Sequence, residues 1–143
     1  MRQLLFTRFI ESDRIRSKYK EAILIPTPVI DTSAVARMAV EAAEDKQARD
    51  IVLLDLRKLN TFADFFVICT GESDRQLKAI VEAIDQRVGA ELGQDARSEG
   101  TTESGWVILD YGDLVIHIFS SAQREFYRIE HLWSMATPLI VVQ

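Results

Sequence analysis

The first regular alternation of apolar and polar positions begins after Asp31 and Thr32, either of which can cap a helix. Val35, Met38, Ala39, Ala42 and Ala43 then recur at helical spacing as far as the polar run Glu44-Asp45-Lys46-Gln47, which predicts one helix. Residues 51–56 are short, β-branched and apolar, and residues 64–70 read the same way, as strands buried on both faces should. Gly71 breaks the second strand. Ser73 and Gln76 have the spacing of a capping box, and Leu77, Ile80, Val81, Ile84 and Val88 lay an apolar stripe behind them. That helix should stop at Leu92-Gly93, because glycine accepts the left-handed backbone that closes a helix. Residues 105–110 and 113–119 predict a hairpin around Tyr111-Gly112. Ser120 and Gln123 repeat the capping spacing and open a last helix through Trp133, ended by Pro138, with residues 139–142 as a tail or edge strand. Helices alternating with strands, one antiparallel pair among them, predict an α/β (α+β) fold in which helices flank a mixed β-sheet.

Composition changes this picture little. The 143 residues are 48% hydrophobic, enough for one domain with a real core. No apolar run approaches the ~18 residues that cross a bilayer, so no membrane contact is expected. One cysteine cannot form an internal disulfide, and with two histidines it makes a poor kit for structural zinc.

Charge adds more. The net charge is −5, but residues 1–31 carry +2 and the remaining 112 residues carry −7. Residues 1–31 end at Ile25-Pro26-Thr27-Pro28 and an acid, and read as a basic, flexible N-terminal extension; residues 32–143 read as the domain. Glu11, Asp13 and Glu21 count against an organelle transit peptide. An acidic domain repels phosphate backbones, so a role near nucleic acid would run through a basic protein rather than sequence-specific contact with bases.

Four groups of residues are candidates for chemistry. Asp110 and Asp113 flank the hairpin turn, where a magnesium-dependent nucleotidyltransferase would want paired carboxylates and where aspartates also serve the turn itself. Thr70-Gly71-Glu72-Ser73 joins a strand to a helix N-terminus, a place for a phosphate; it lacks the glycine run and lysine of a P-loop, and capping accounts for Ser73. Cys69, His117 and Asp64 can be arranged on paper as nucleophile, base and acid, yet a cysteine inside an apolar strand is usually inert. His117 falls on the same strand side as Val115 and Phe119. Trp106, Tyr127 and Trp133 are large aromatics with polar handles, the type enriched at interface centres, with plain core as the alternative.

The blocks DFFVICTG-x-S-x-RQ (64–76), Glu99-Gly100, GWVILDYGD (105–113), His117-x-Phe119 and R-x-FY-x-x-E-x-LW (124–133) together resemble the Iojap family, the ribosomal silencing factors RsfS, over residues 32–133. The resemblance implies a nucleotidyltransferase-like fold without the catalytic set. The transferase pattern wants Gly-Ser about a dozen residues before an Asp-x-Asp strand. Here Asp110 lies 39 residues beyond Gly71, with the wrong spacing to Asp113. What the resemblance implies is a non-enzymatic factor that binds the large ribosomal subunit through its ribosomal protein number fourteen. It would block joining of the small subunit when nutrients are short. The expected partner-binding strip is Trp106, Asp110, Tyr111, Asp113 and His117, continued by Tyr127 and Glu130, with aromatics as anchors and carboxylates meeting Lys or Arg. No catalytic residue, cofactor or metal is expected. The free protein is expected to form a homodimer, and the home is a bacterial cytoplasm or an organelle of bacterial descent. The rival reading is the magnesium-dependent nucleotidyltransferase, and a third is an RNA binder led by the basic extension.

Overall fold

The structure is a computed structural model and describes residues 29–59 and 61–143. Asp31, in extended backbone, caps α1 (Thr32–Asp45): its carboxylate accepts from the amides of Ser33 at 3.0 Å and Ala34 at 3.4 Å. α1 buries Val35, Ala36, Ala39, Val40, Ala42 and Ala43, small residues that let the helix lie close to the sheet. β1 (Arg49–Asp55), a single 3-10 turn (Arg57–Leu59) and β2 (Phe65–Gly71) follow. β2 is buried along its whole length, as its unbroken apolar run predicts.

Ser73 caps α2 (Asp74–Leu92) by accepting from the Gln76 amide at 3.0 Å, and Gly93 closes the helix at φ 64°. The Gln76 carboxamide accepts from the Glu72 amide at 2.6 Å and donates to the carbonyls of Lys46 and Gln47, so the cap also ties down the α1–β1 loop. β3 (Arg97–Thr101), β4 (Trp106–Asp110) and β5 (Leu114–Ser120) come next, then two short helices, α3 (Ser121–Tyr127) and α4 (Ile129–Leu132), and finally β6 (Thr137–Val142).

The six strands form one sheet in the order β3-β4-β5-β2-β1-β6, with β2 parallel to β5 and every other neighbouring pair antiparallel. The mixed sheet flanked by helices is as expected. Three details differ. β3 has no apolar residue and is exposed throughout, so hydrophobic patterning gave no signal for it; it is held by backbone pairing to β4. The last helix is not continuous, because Arg128 takes a left-handed backbone (φ 46°) that ends α3 and starts α4 at a new angle. Pro138 does not end that helix, which stops at Leu132; it lies inside β6, an edge strand that can spare an amide donor.

The pairing registers sort side chains onto two faces. Leu53, Phe65, Val67, Cys69, Ile116, Ile118, Val107 and Leu109 share one face, against which α1 and α2 pack. Leu54, Phe66, Ile68, Val115, His117, Phe119, Trp106, Ile108 and Asp110 share the other. There Ile129 of α4 and Ala136 complete a second buried cluster, with Trp133 packed against it. The basic extension lies outside the described residues except for 29–31.

Candidate functional site

Aromatic side chains gather on the second face. Register sets Trp106 beside Phe119 and Ile108 beside His117 across β4 and β5. The Trp106 ring stacks on Phe119 with centroids 4.9 Å apart, and Tyr127 of α3 lies over it at 4.5 Å. His117 meets the Phe66 ring edge-on at 4.9 Å, and Phe66 meets Trp133 at 5.3 Å. Trp106 is half-buried and Tyr127 is 46% exposed, so the cluster opens to solvent at their end. Phe126 of α3, 76% exposed, meets the Tyr127 ring, and Leu132 of α4 is 77% exposed.

One hydrogen bond orders the centre. The Trp106 indole N–H donates to His117 Nδ1 at 3.2 Å, which leaves the imidazole proton on Nε2. That Nε2 is buried without a hydrogen-bond partner among the described residues. Burial pushes the imidazole down to about 4, against the opposing pull of the Asp110 and Glu130 carboxylates. His117 is therefore neutral at pH 7 and serves as an acceptor for the indole.

The expected strip does not all lie on one surface. Trp106, Asp110 and His117 share the face with Tyr127, whereas Tyr111 does not. Its side chain is buried, and its hydroxyl donates to Asp85 of α2 at 2.6 Å. Burial first and the Asp85 carboxylate second raise its phenol above the ordinary value. Tyr111 therefore secures the hairpin to α2 and has no ring to offer a partner; its odd place after Asp110 on an alternating strand is the reason. His117 is also too buried to be a contact, and orients Trp106 instead. Asp113 is half-buried beside the turn, and its carbonyl accepts from the amides of Asp64 and Phe65. Glu130 is held by Arg124, whose Nε donates to it at 2.7 Å. Ile108 alternates with Trp106 and Asp110 and shares their face, whereas nothing in the sequence pattern marks the exposed Phe126 or Leu132 as outward.

The competing chemistries fare poorly on geometry. The Asp110 carboxylate accepts from the Gly112 amide at 2.7 Å, a turn role. No group of three or more His, Cys, Asp or Glu side chains among the described residues is placed to hold a metal ion. At the start of α2 the Glu72 and Gln76 amides are taken by side chains of the cap itself. Cys69 pairs with Ile118 and His117 with Ile68, so the sheet separates thiol from imidazole; burial pushes the thiol up to about 12.

Residues 29–143 match the profile of the family described as "Ribosomal silencing factor during starvation". The chain belongs to the RsfS family. It is 36% identical over 107 residues to the ribosomal silencing factor RsfS of Bacillus subtilis, covering 75% of this chain and 91% of that one. A mouse relative, named mitochondrial assembly of ribosomal large subunit protein 1, is 30% identical over 101 residues, covering 68% of this chain and 44% of that one. Among solved structures, a Chromobacterium violaceum protein aligns with TM-score 0.68 and 36% identity, covering 73% of this chain and 88% of that one. The RsfS family is named for silencing rather than for a reaction. No helix among the described residues is long and apolar enough to cross a membrane.

Proposed function

We propose that this chain acts by occupancy: it docks on the large ribosomal subunit, on ribosomal protein number fourteen, and blocks joining of the small subunit, lowering translation when nutrients are short. The observation that carries the reading is the solvent-open end of the aromatic cluster, Trp106 under Tyr127, in a chain of the RsfS family. Large rigid rings give contact area at low cost in side-chain entropy, and they are the usual anchors of interfaces. Asp110, Asp113 and Glu130 supply carboxylates that would steer and pair with Lys or Arg of a basic partner. The contact set is Trp106, Tyr127, Asp110, Asp113 and Glu130, joined by Ile108, Phe126 and Leu132. Free protein would pair two such faces in a symmetric homodimer, so self-association and docking would compete. The home is a bacterial cytoplasm or, as the name of the mouse relative suggests, an organelle of bacterial descent.

Sedimentation of the purified protein with large subunits, small subunits and joined ribosomes tests this. Co-sedimentation with large subunits and loss of joined ribosomes is expected. Binding to small subunits alone, or to none, overturns it.

A further inference from the structure

We infer that Arg124 is the positioning residue of the docking face: it holds the α3–α4 elbow so that Tyr127 lies on Trp106. The inference rests on the docking reading above. None of the seven residues of α3 is buried, so apart from the Tyr127 ring on Trp106 no apolar side chain is sunk into the core to hold this helix down. Arg124 does so instead. Its side chain is 13% exposed and reaches three elements. Nε donates to the Glu130 carboxylate of α4 at 2.7 Å, and one terminal nitrogen donates to the Thr70 hydroxyl of β2 at 2.8 Å and to the Asp50 carbonyl of β1.

The acceptor on β1 is itself unusual. Asp50 has a left-handed backbone (φ 49°) at the point where the β1–β2 register shifts. A strained residue that meets a buried guanidinium is one whose conformation the surroundings enforce. The guanidinium fork suits this task, since donors in fixed directions reach acceptors on different elements at once; an ammonium is a single point. Tyr127 stands three residues after Arg124, on the same side of the helical turn. Directly after Tyr127 the left-handed Arg128 sets the elbow, and the Glu130 bond closes it from the far side. Arg124 thus acts through Tyr127 and is too covered to serve as a main contact itself.

The test pairs a spectroscopic readout with a binding cycle on the full chain. The indole N–H resonance of Trp106, distinguished from that of Trp133 by Trp133→Phe, reports the ring seated above it. Arg124→Lys and Arg124→Ala should both move it toward its position in Tyr127→Ala. Each should weaken large-subunit binding by about tenfold, yet change it less than about twofold in the Tyr127→Ala background, because residues acting as one unit are non-additive. An unmoved Trp106 resonance in Arg124→Lys overturns the inference. So does a full loss of binding that persists without Tyr127, which would make Arg124 a direct contact. If Arg124→Ala fails to fold, Arg124→Lys decides by the same two readouts, and Glu130→Gln decides by the Trp106 resonance alone, because Glu130 itself belongs to the contact set. If the wild type does not bind large subunits, the docking reading fails, and the resonance alone still decides whether Arg124 seats Tyr127.

Discussion

Trp106 joins the core to the proposed docking face. Its ring packs on Phe119 and Tyr127, and its indole N–H satisfies His117 Nδ1. Trp106→Ala should therefore lower stability by about 2–4 kcal/mol in urea unfolding, from lost packing and an orphaned acceptor, and should weaken large-subunit binding even where the variant is folded. Loss of stability with full binding would make the residue core alone. His117 gives a pH dependence whose sign is fixed. Its folded-state value of about 4 lies below the ordinary 6.5, so the unfolded chain binds the extra proton first. Its contribution is present above pH 6.5 and is lost as pH falls from there toward 4, by at most about 3 kcal/mol. The check is the imidazole titration followed by NMR together with the slope of stability against pH; a midpoint near 6.5 in the folded protein would refute it.

Among the elements, β3 and the α3–α4 elbow depend most on backbone geometry. Gly100 sits in β3 at φ +80°, and a Cβ there would stand 2.1 Å from the Trp106 carbonyl oxygen. Gly100→Ala combines a left-handed strain of about 1–2 kcal/mol with that collision, so β3 should separate from β4. Hydrogen exchange is expected to lose protection over residues 97–101 while β2 and β5 keep theirs. Uniform protection in the variant would show that β4 shifts to make room. Neither β3 nor the elbow has an apolar pattern of its own, and for that reason neither was legible in advance. The Ser73 and Ser120 caps, by contrast, were readable to the residue, because a cap is a local bond between neighbours.

For the whole molecule, the uneven charge is the property that bears on association. With −7 beyond residue 31, the domain is repelled from exposed phosphate and attracted to basic protein. Asp110→Lys should weaken docking on large subunits by about three- to tenfold at low salt, and the gap to wild type should narrow as salt rises, since a rim charge acts through a screened field. A gap that salt does not change would mean that Asp110 acts through its bond to Gly112 and the shape of the turn.

The sequence by itself determined the elements whose signals are local: the α1 and α2 stripes, the buried strands β1 and β2, the β4–β5 hairpin, the serine caps, and the motif blocks that mark the RsfS family. Periodicity and capping act between residues a few positions apart, so they survive in one dimension. Tertiary structure alone decided which candidates share a surface. Tyr111 and Asp110 are neighbours in the chain, yet pleating sends one to Asp85 and leaves the other on the aromatic face. Tyr127 comes onto Trp106 because Arg124 bonds to residues 54 and 74 positions earlier in the chain, and no pattern along the chain encodes a contact of that separation.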